Sequence, residues 1–277
     1  MPKSAKTTIY PMRLAKRPAS FLLVTILIAC AACSAKSVPV HIEFSASWAG
    51  QPVQCDDTPL ALTDLRFYVS EVLVIDSSGV EHPVSLTPDD RWQQRDIVLI
   101  DLENGTGACS NGTSDVNTAI RGTVATSDFA GVKFTIGVPF DMNHANPLLA
   151  QPPLDDAAMH WHWRSGYKFL RAGISSPTDS FWIHLGSTGC EGTIQNITGC
   201  SSPNRVTVDL SDFSAAGGRI SLELSELFHG IDLQDGTGSD CSSSPAESEC
   251  ASPFQTLGLT IDGSTIMQPQ KVFQAQP

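Results

Sequence analysis

The chain has 277 residues, 41% hydrophobic and 17% charged, with 17 Lys and Arg against 29 Asp and Glu. That length and apolar content suit one sizeable core. The net charge of −12 speaks against nucleic acid and anionic membranes as partners, because both repel an acidic surface.

At the N-terminus, Lys3, Lys6, Arg13, Lys16 and Arg17 precede the apolar run "SFLLVTILIACAAC" at 20–33. The run is short for a membrane span and fits a secretory signal over residues 1–32. A Cys behind small residues resembles a bacterial lipoprotein cleavage site, and both Cys30 and Cys33 are so placed. An ordinary signal peptide cut nearby is the competing reading. Lipidation at Cys33 leaves six cysteines, an even number, whereas lipidation at Cys30 leaves an odd thiol, so parity favours Cys33. The segment 1–32 holds five basic residues and no acidic one, so its loss takes the net charge from −12 to −17. Such a surface attracts metal cations or a basic protein.

The segments that follow read as strands in turn. "VPVHIEFSASW" (38–48) alternates Val38, Val40, Ile42 and Phe44 against His41. "LRFYVSEVLVID" (65–76), "RDIVLIDL" (95–102), "GVKFTIGVPF" (131–140), "YKFLRAGI" (167–174), "SFWIHLG" (180–186), "RVTVDL" (205–210) and "RISLEL" (219–224) are rich in β-branched and aromatic residues. Gly, Asn, Asp and Ser turns separate them. Short helices are expected near 114–121, where Ser114 could cap, and at 153–159. Strands at this spacing without helical periods between them imply an all-β fold, an antiparallel β-sandwich or barrel-like single domain over 38–277 with long stapled loops. The loop from Asp141 to Asp156 has a length typical of functional loops.

In an oxidising compartment Cys55, Cys109, Cys190, Cys200, Cys241 and Cys250 should form disulfides. Connectivity is open from sequence alone. Cys190–Cys200 and Cys241–Cys250 each bracket a short polar loop, and Cys55–Cys109 then follows by elimination. No CxxC pair remains to suggest a zinc or iron–sulfur site.

The chain's densest chemistry is "MHWHWRSGYKFL" at 159–170. In a regular strand Met159, Trp161 and Trp163 share one face, where the indoles read as core filling, while His160 and His162 share the other, roughly 7 Å apart, as metal ligands or as solvated polar residues. His144 lies in the long loop. His184 sits mid-strand, where a neutral or metal-bound imidazole is easier to accommodate than a charged one. Imidazole suits copper, zinc and nickel, with copper(II) bound most tightly; Met142 and Met159 are soft enough for copper(I). The acidic turns near 101–115 and 232–240 lack EF-hand spacing and read as solvated turns. There is no GxSxG, HExxH, CxxCH or phosphate loop, and hence no assembled catalytic constellation.

"LRFYVSEVLV", "DLENGTGAC", "GVKFTIGVPFDMNHANP", "MHWHWRSGYKFLRAGI", "FWIHLGSTGC" and a late "LGL" together resemble the MbnP family, over about residues 38–260. The combination M-x-W-x-W-x-x-G-Y-K-F followed by H-L-G-x-x-x-C is specific. The resemblance implies a secreted or periplasmic copper-binding protein that is not an enzyme. Its partner would be a di-haem MbnH-type protein of the cytochrome c peroxidase family, which oxidises a Trp to kynurenine. By that resemblance Trp161 and Trp163, then Trp182, are candidates for modification, and His144 and His184 are the first candidates for copper. His160 and His162 stand where the family carries aromatic or small polar residues, which leaves their role open. The family's motif has four cysteines, so one disulfide here is an addition. Two other classes compete. A carbohydrate-binding or adhesion sandwich would use exposed Trp and calcium, and metal content separates it from a copper protein. A hydrolase using His184 with an Asp lacks any nucleophile motif.

Overall fold

In the computed structural model the alternating apolar residues of 38–48 and of the strands after it face one another across two sheets. The structure describes residue 1 and residues 37–56, 60–232, 240–260 and 268–276. The expected signal segment, apart from Met1, and Cys33 lie outside the described residues. Two units are distinguished, residues 1–34 and residues 35–277; the second is described below.

One sheet runs in the order Phe273–Gln276, Arg219–Glu223, Val38–Trp48, Ala119–Val124, Ser85–Leu86. Strand Val38–Trp48 pairs antiparallel with Ala119–Val124 but parallel with Arg219–Glu223, an exception to the antiparallel expectation. The other sheet is built on Ala61–Ile75. This strand pairs with Ile97–Asp101 and Glu81–Pro83 along one edge, and with Gly166–Ser175 and then Gly131–Ile136 along the other. A register shift between Ser70 and Leu73, where Glu71 takes φ 56°, lets one long strand serve both neighbours. Ser180–Gly186 extends the sheet beyond Gly166–Ser175.

The sheets meet through four phenylalanines. Phe44 and Phe273 come from the first, Phe67 and Phe134 from the second, with ring centroids 5.4–6.0 Å apart in edge-to-face contacts. Val40, Ile42, Phe44 and Ala46 are buried while His41 is not, as the period-two pattern requires. The fold is therefore an open two-sheet β-sandwich. The three disulfides are Cys55–Cys109, Cys190–Cys200 and Cys241–Cys250.

Three local expectations fail. No helix forms at 114–121: the Asn117 amide donates to Leu99 O, Asn117 and Asp101 exchange backbone bonds, and Ala119 begins a strand. Bonds to the neighbouring strand thus outcompete a helix that Ser114 would have capped. Residues 153–159 form turns around Asp156, whose Oδ1 and backbone O accept the N–H groups of Ala158, Met159 and His160. The helical turn of this region lies earlier, at Phe140–Asn143. The third failure is the strict alternation of 159–163. Strand His160–His162 carries a register shift between its two histidines, so the same-face rule does not hold across it.

Candidate metal and indole site

Along Ser180–Gly186, Phe181, Ile183 and Leu185 point into the core, leaving Trp182 and His184 on the outer face. On the adjacent strand Gly173 stands opposite Trp182 and Arg171 opposite His184. A Cβ on Gly173 would lie 2.7 Å from Trp182 Cε3, so the indole rests directly on the glycine. Trp161 reaches the same face and covers Gly186 in the same way, with Cε3 3.0 Å from where a Cβ would stand. His184 therefore has an indole on each side, Trp161 at 6.1 Å and Trp182 at 6.0 Å between ring centroids.

The His184 Nε2 is buried and has no hydrogen-bond partner. Burial, then the charges of Lys168 and Arg171, lowers its pKa to about 4. The ring is thus neutral at ordinary pH, the form that ligates a metal. Around it runs an ionic fringe absent from the sequence reading. Arg66 Nε lies 3.0 Å from Asp64 Oδ1, and Arg171 Nε lies 3.3 Å from Asp64 Oδ2. Arg66 also reaches Asp156 at 3.4 Å, Lys168 Nζ donates to Ala158 O, and the Arg171 guanidinium lies 5.1 Å from the Trp182 ring. Lys168 and Arg171 beside His184, and Arg66 across from Arg171, could not be assigned from sequence, because only strand register brings them together.

The remaining candidates disperse. Trp163 sits between His162 (5.5 Å) and the guanidinium of Arg164 (4.9 Å), away from the Trp161 contacts, so the two indoles do not form a core pair. Met159 is fully buried in the core. His160 packs edge-on against Tyr167 at 5.4 Å. Burial first, then Lys168 and His162, lowers its pKa. His162 is exposed, its Nδ1 accepting from Arg164 N. Met142 packs against the core edge. His144 caps the helical turn Phe140–Asn143 with its ring 4.7 Å from Phe140, and burial lowers its pKa.

Among the described residues two groups of three potential ligands occur: His144 with Cys190 and Cys200, and Cys241 with Glu247 and Cys250. Neither contains His184, and both sulfur pairs are disulfides. The orphaned His184 Nε2 fits a metal ligand, but it supplies one donor; a closed three-ligand set does not stand ready beside it.

Fold and site together define a disulfide-stapled β-sandwich with an indole-flanked, uncharged histidine on its outer face. The MbnP family model matches residues 37–244, and the chain belongs to the MbnP family. It is similar to the solved structure of MbnP from Methylosinus trichosporium, with 25% identity and a TM-score of 0.75 over 87% of this chain and 98% of that one. No curated protein sequence matches it.

Proposed function

We propose that the chain is an extracytoplasmic, Cys33-anchored copper-binding protein that performs no turnover of its own and is the substrate of an MbnH-type di-haem partner. The observation that carries this reading is the placement of His184: a neutral imidazole with a free buried nitrogen between two indoles. Indole is electron-rich, and of the three candidate tryptophans Trp161 and Trp182 share that imidazole while Trp163 does not. Conversion of an indole to kynurenine opens its five-membered ring and exposes an arylamine and a ketone. These are donors that could complete the ligand set that His184 begins. Copper bound there would be held in a site whose walls are fixed by Gly173, Gly186 and the Arg171–Asp64–Arg66 bridge.

The test is tandem mass spectrometry and copper analysis of protein made with and without its partner. One carbon lost and one oxygen gained at Trp161 or Trp182, only with the partner, is expected. Copper should then fall in His184→Ala. Unmodified Trp161 and Trp182 beside an active partner, or full copper in His184→Ala, refutes the reading.

A further inference from the structure

The His144 corner has a chemistry of its own that does not depend on His184. The His144 Nε2 lies 3.4 Å from Cys200 Sγ. Its tautomer is set by Asn143, whose Oδ1 accepts from Tyr167 N and whose Nδ2 donates to Ser165 O and lies 3.2 Å from Nε2. The amide is therefore oriented by two backbone groups, and it presents a donor to Nε2. In that tautomer Nε2, 3.4 Å from Cys200 Sγ, carries the lone pair and shares it with the Asn143 amide, while the Nδ1 proton is buried without a partner. Gly166 makes this possible: at φ 81° and with Asn143 packed where a Cβ would be, only glycine fits. Cys190 and Cys200 are directly opposed across the two-stranded hairpin Thr188–Thr193 and Asn196–Ser202. Cys200 is only half buried and lines a cleft of about 240 Å³ with Phe140, Asn143, Pro203 and Arg205. The other two disulfides are buried at both ends.

We propose that Cys190–Cys200 and His144 form a redox-gated soft-metal site: reduction of the disulfide creates a Cys₂His set that holds one copper(I), and transfer of two electrons from the two thiolates to an external disulfide re-forms the bond and releases the ion. The reductant is an external dithiol. Its thiolate attacks Cys200 Sγ through the cleft, Cys190 leaves as a thiolate and takes a proton, and the second thiol of the reductant then displaces Cys200. Two electrons and two protons end on the two cysteines, and the reductant becomes a disulfide. Copper(I) then binds with loss of the two thiol protons and no change in its own oxidation state. The three donor atoms already lie within 4.8 Å of one another. A three-coordinate ion with bonds of about 2.0–2.3 Å spreads its ligands by roughly 3.5–4 Å, so the sulfurs need only part from their bonded distance. Thiolate softness selects copper(I) or zinc; three donors complete a trigonal copper(I) shell, whereas zinc would need water as a fourth ligand. The comparable group at Cys241 and Cys250 carries a hard carboxylate, Glu247, and both its sulfurs are fully buried.

The experiment is copper(I) titration of the full exported chain against a chromophoric chelator, before and after mild dithiol treatment. Differential alkylation identifies which disulfide has opened. Cys190–Cys200 should open first, and the reduced chain should take up one more copper(I) than the oxidised chain. Copper-edge absorption should show two sulfurs and one nitrogen. His144→Gln keeps the disulfide, and so the oxidised fold; it should weaken this uptake at least about tenfold. The Cys190→Ser, Cys200→Ser pair should abolish it, and His184→Ala should leave it intact. Equal uptake before and after reduction, wild-type affinity in His144→Gln, or uptake that survives in the serine pair overturns the proposal.

Discussion

Replacing Gly173 by alanine places a methyl group 2.7 and 2.8 Å from Trp182 Cε3 and Cζ3, and against Thr63 Oγ1. Carbon atoms in good contact stand about 3.5–4.0 Å apart, so the indole must retreat by roughly 0.8 Å or more. The backbone at Gly173 lies in a paired strand, so alanine is sterically excluded there rather than conformationally strained. Overpacking of this kind costs about 1–3 kcal/mol, and disturbing the Arg171 contact on the same ring adds up to about 1 kcal/mol. A total near 2–3 kcal/mol lowers the melting temperature of a domain this size by about 4–12 °C. Thermal and urea denaturation of Gly173→Ala against wild type measure it, and Trp emission reports the ring displacement. Stability within about 0.5 kcal/mol of wild type with unchanged emission would refute the claim that Gly173 seats the indole.

Three further outcomes follow from buried polar groups and crosslinks. Glu223, 6% exposed, accepts from Ser47 Oγ, from Ala49 and Gly50 N–H, and from Ser225. Burial opposes its charge, but those bonds hold its pKa below the ordinary 4.5. A lowered acid stabilises above its unfolded value and loses that contribution as pH falls from there through the folded value. Glu223→Gln should therefore cost about 2–3 kcal/mol near neutrality and less in acid, as read by denaturation at both pH values. Asp101, 2% exposed, is raised to about 8 by burial first and then by Glu103, against the pull of Arg66. Its native form keeps a proton that the unfolded chain loses near 3.8, so stability falls as pH rises through that window. Asp101→Asn should gain at least about 1 kcal/mol on wild type between about pH 5 and about pH 9; parallel pH profiles would contradict it. Cys55–Cys109 spans 54 residues, against 10 and 9 for the other bridges. Its paired alanine replacement should cost about 4 kcal/mol, against about 3 kcal/mol for either short bridge, with chemical denaturation giving the order.

Much of this protein was legible as sequence because its signals are local. The stretch "SFWIHLG" marks the bounds of strand Ser180–Gly186, and 38–48 shows its buried face by alternation, since side-chain period two needs no partner strand to be visible. The short-loop disulfides followed from spacing, and the family from a motif whose residues lie close in the chain. What failed or stayed hidden depended on pairing. The bulge between His160 and His162 separates Trp161 from Trp163, and no local pattern announces a bulge when the residues on both sides are strand formers. Trp161 meets His184 only because Tyr167 and Gly186 lie on neighbouring strands in a particular register. Gly173 under Trp182, Arg171 beside His184, Asn143 fixing His144 and Cys200 at the mouth of a cleft are likewise contacts between segments far apart in sequence. The sequence determined which residue types were present and which strands would carry them. Register and sheet packing alone decided which imidazole would be neutral, which indoles would flank it, and which disulfide would face a histidine. Those properties come from burial and distance in three dimensions, and no residue carries them by itself.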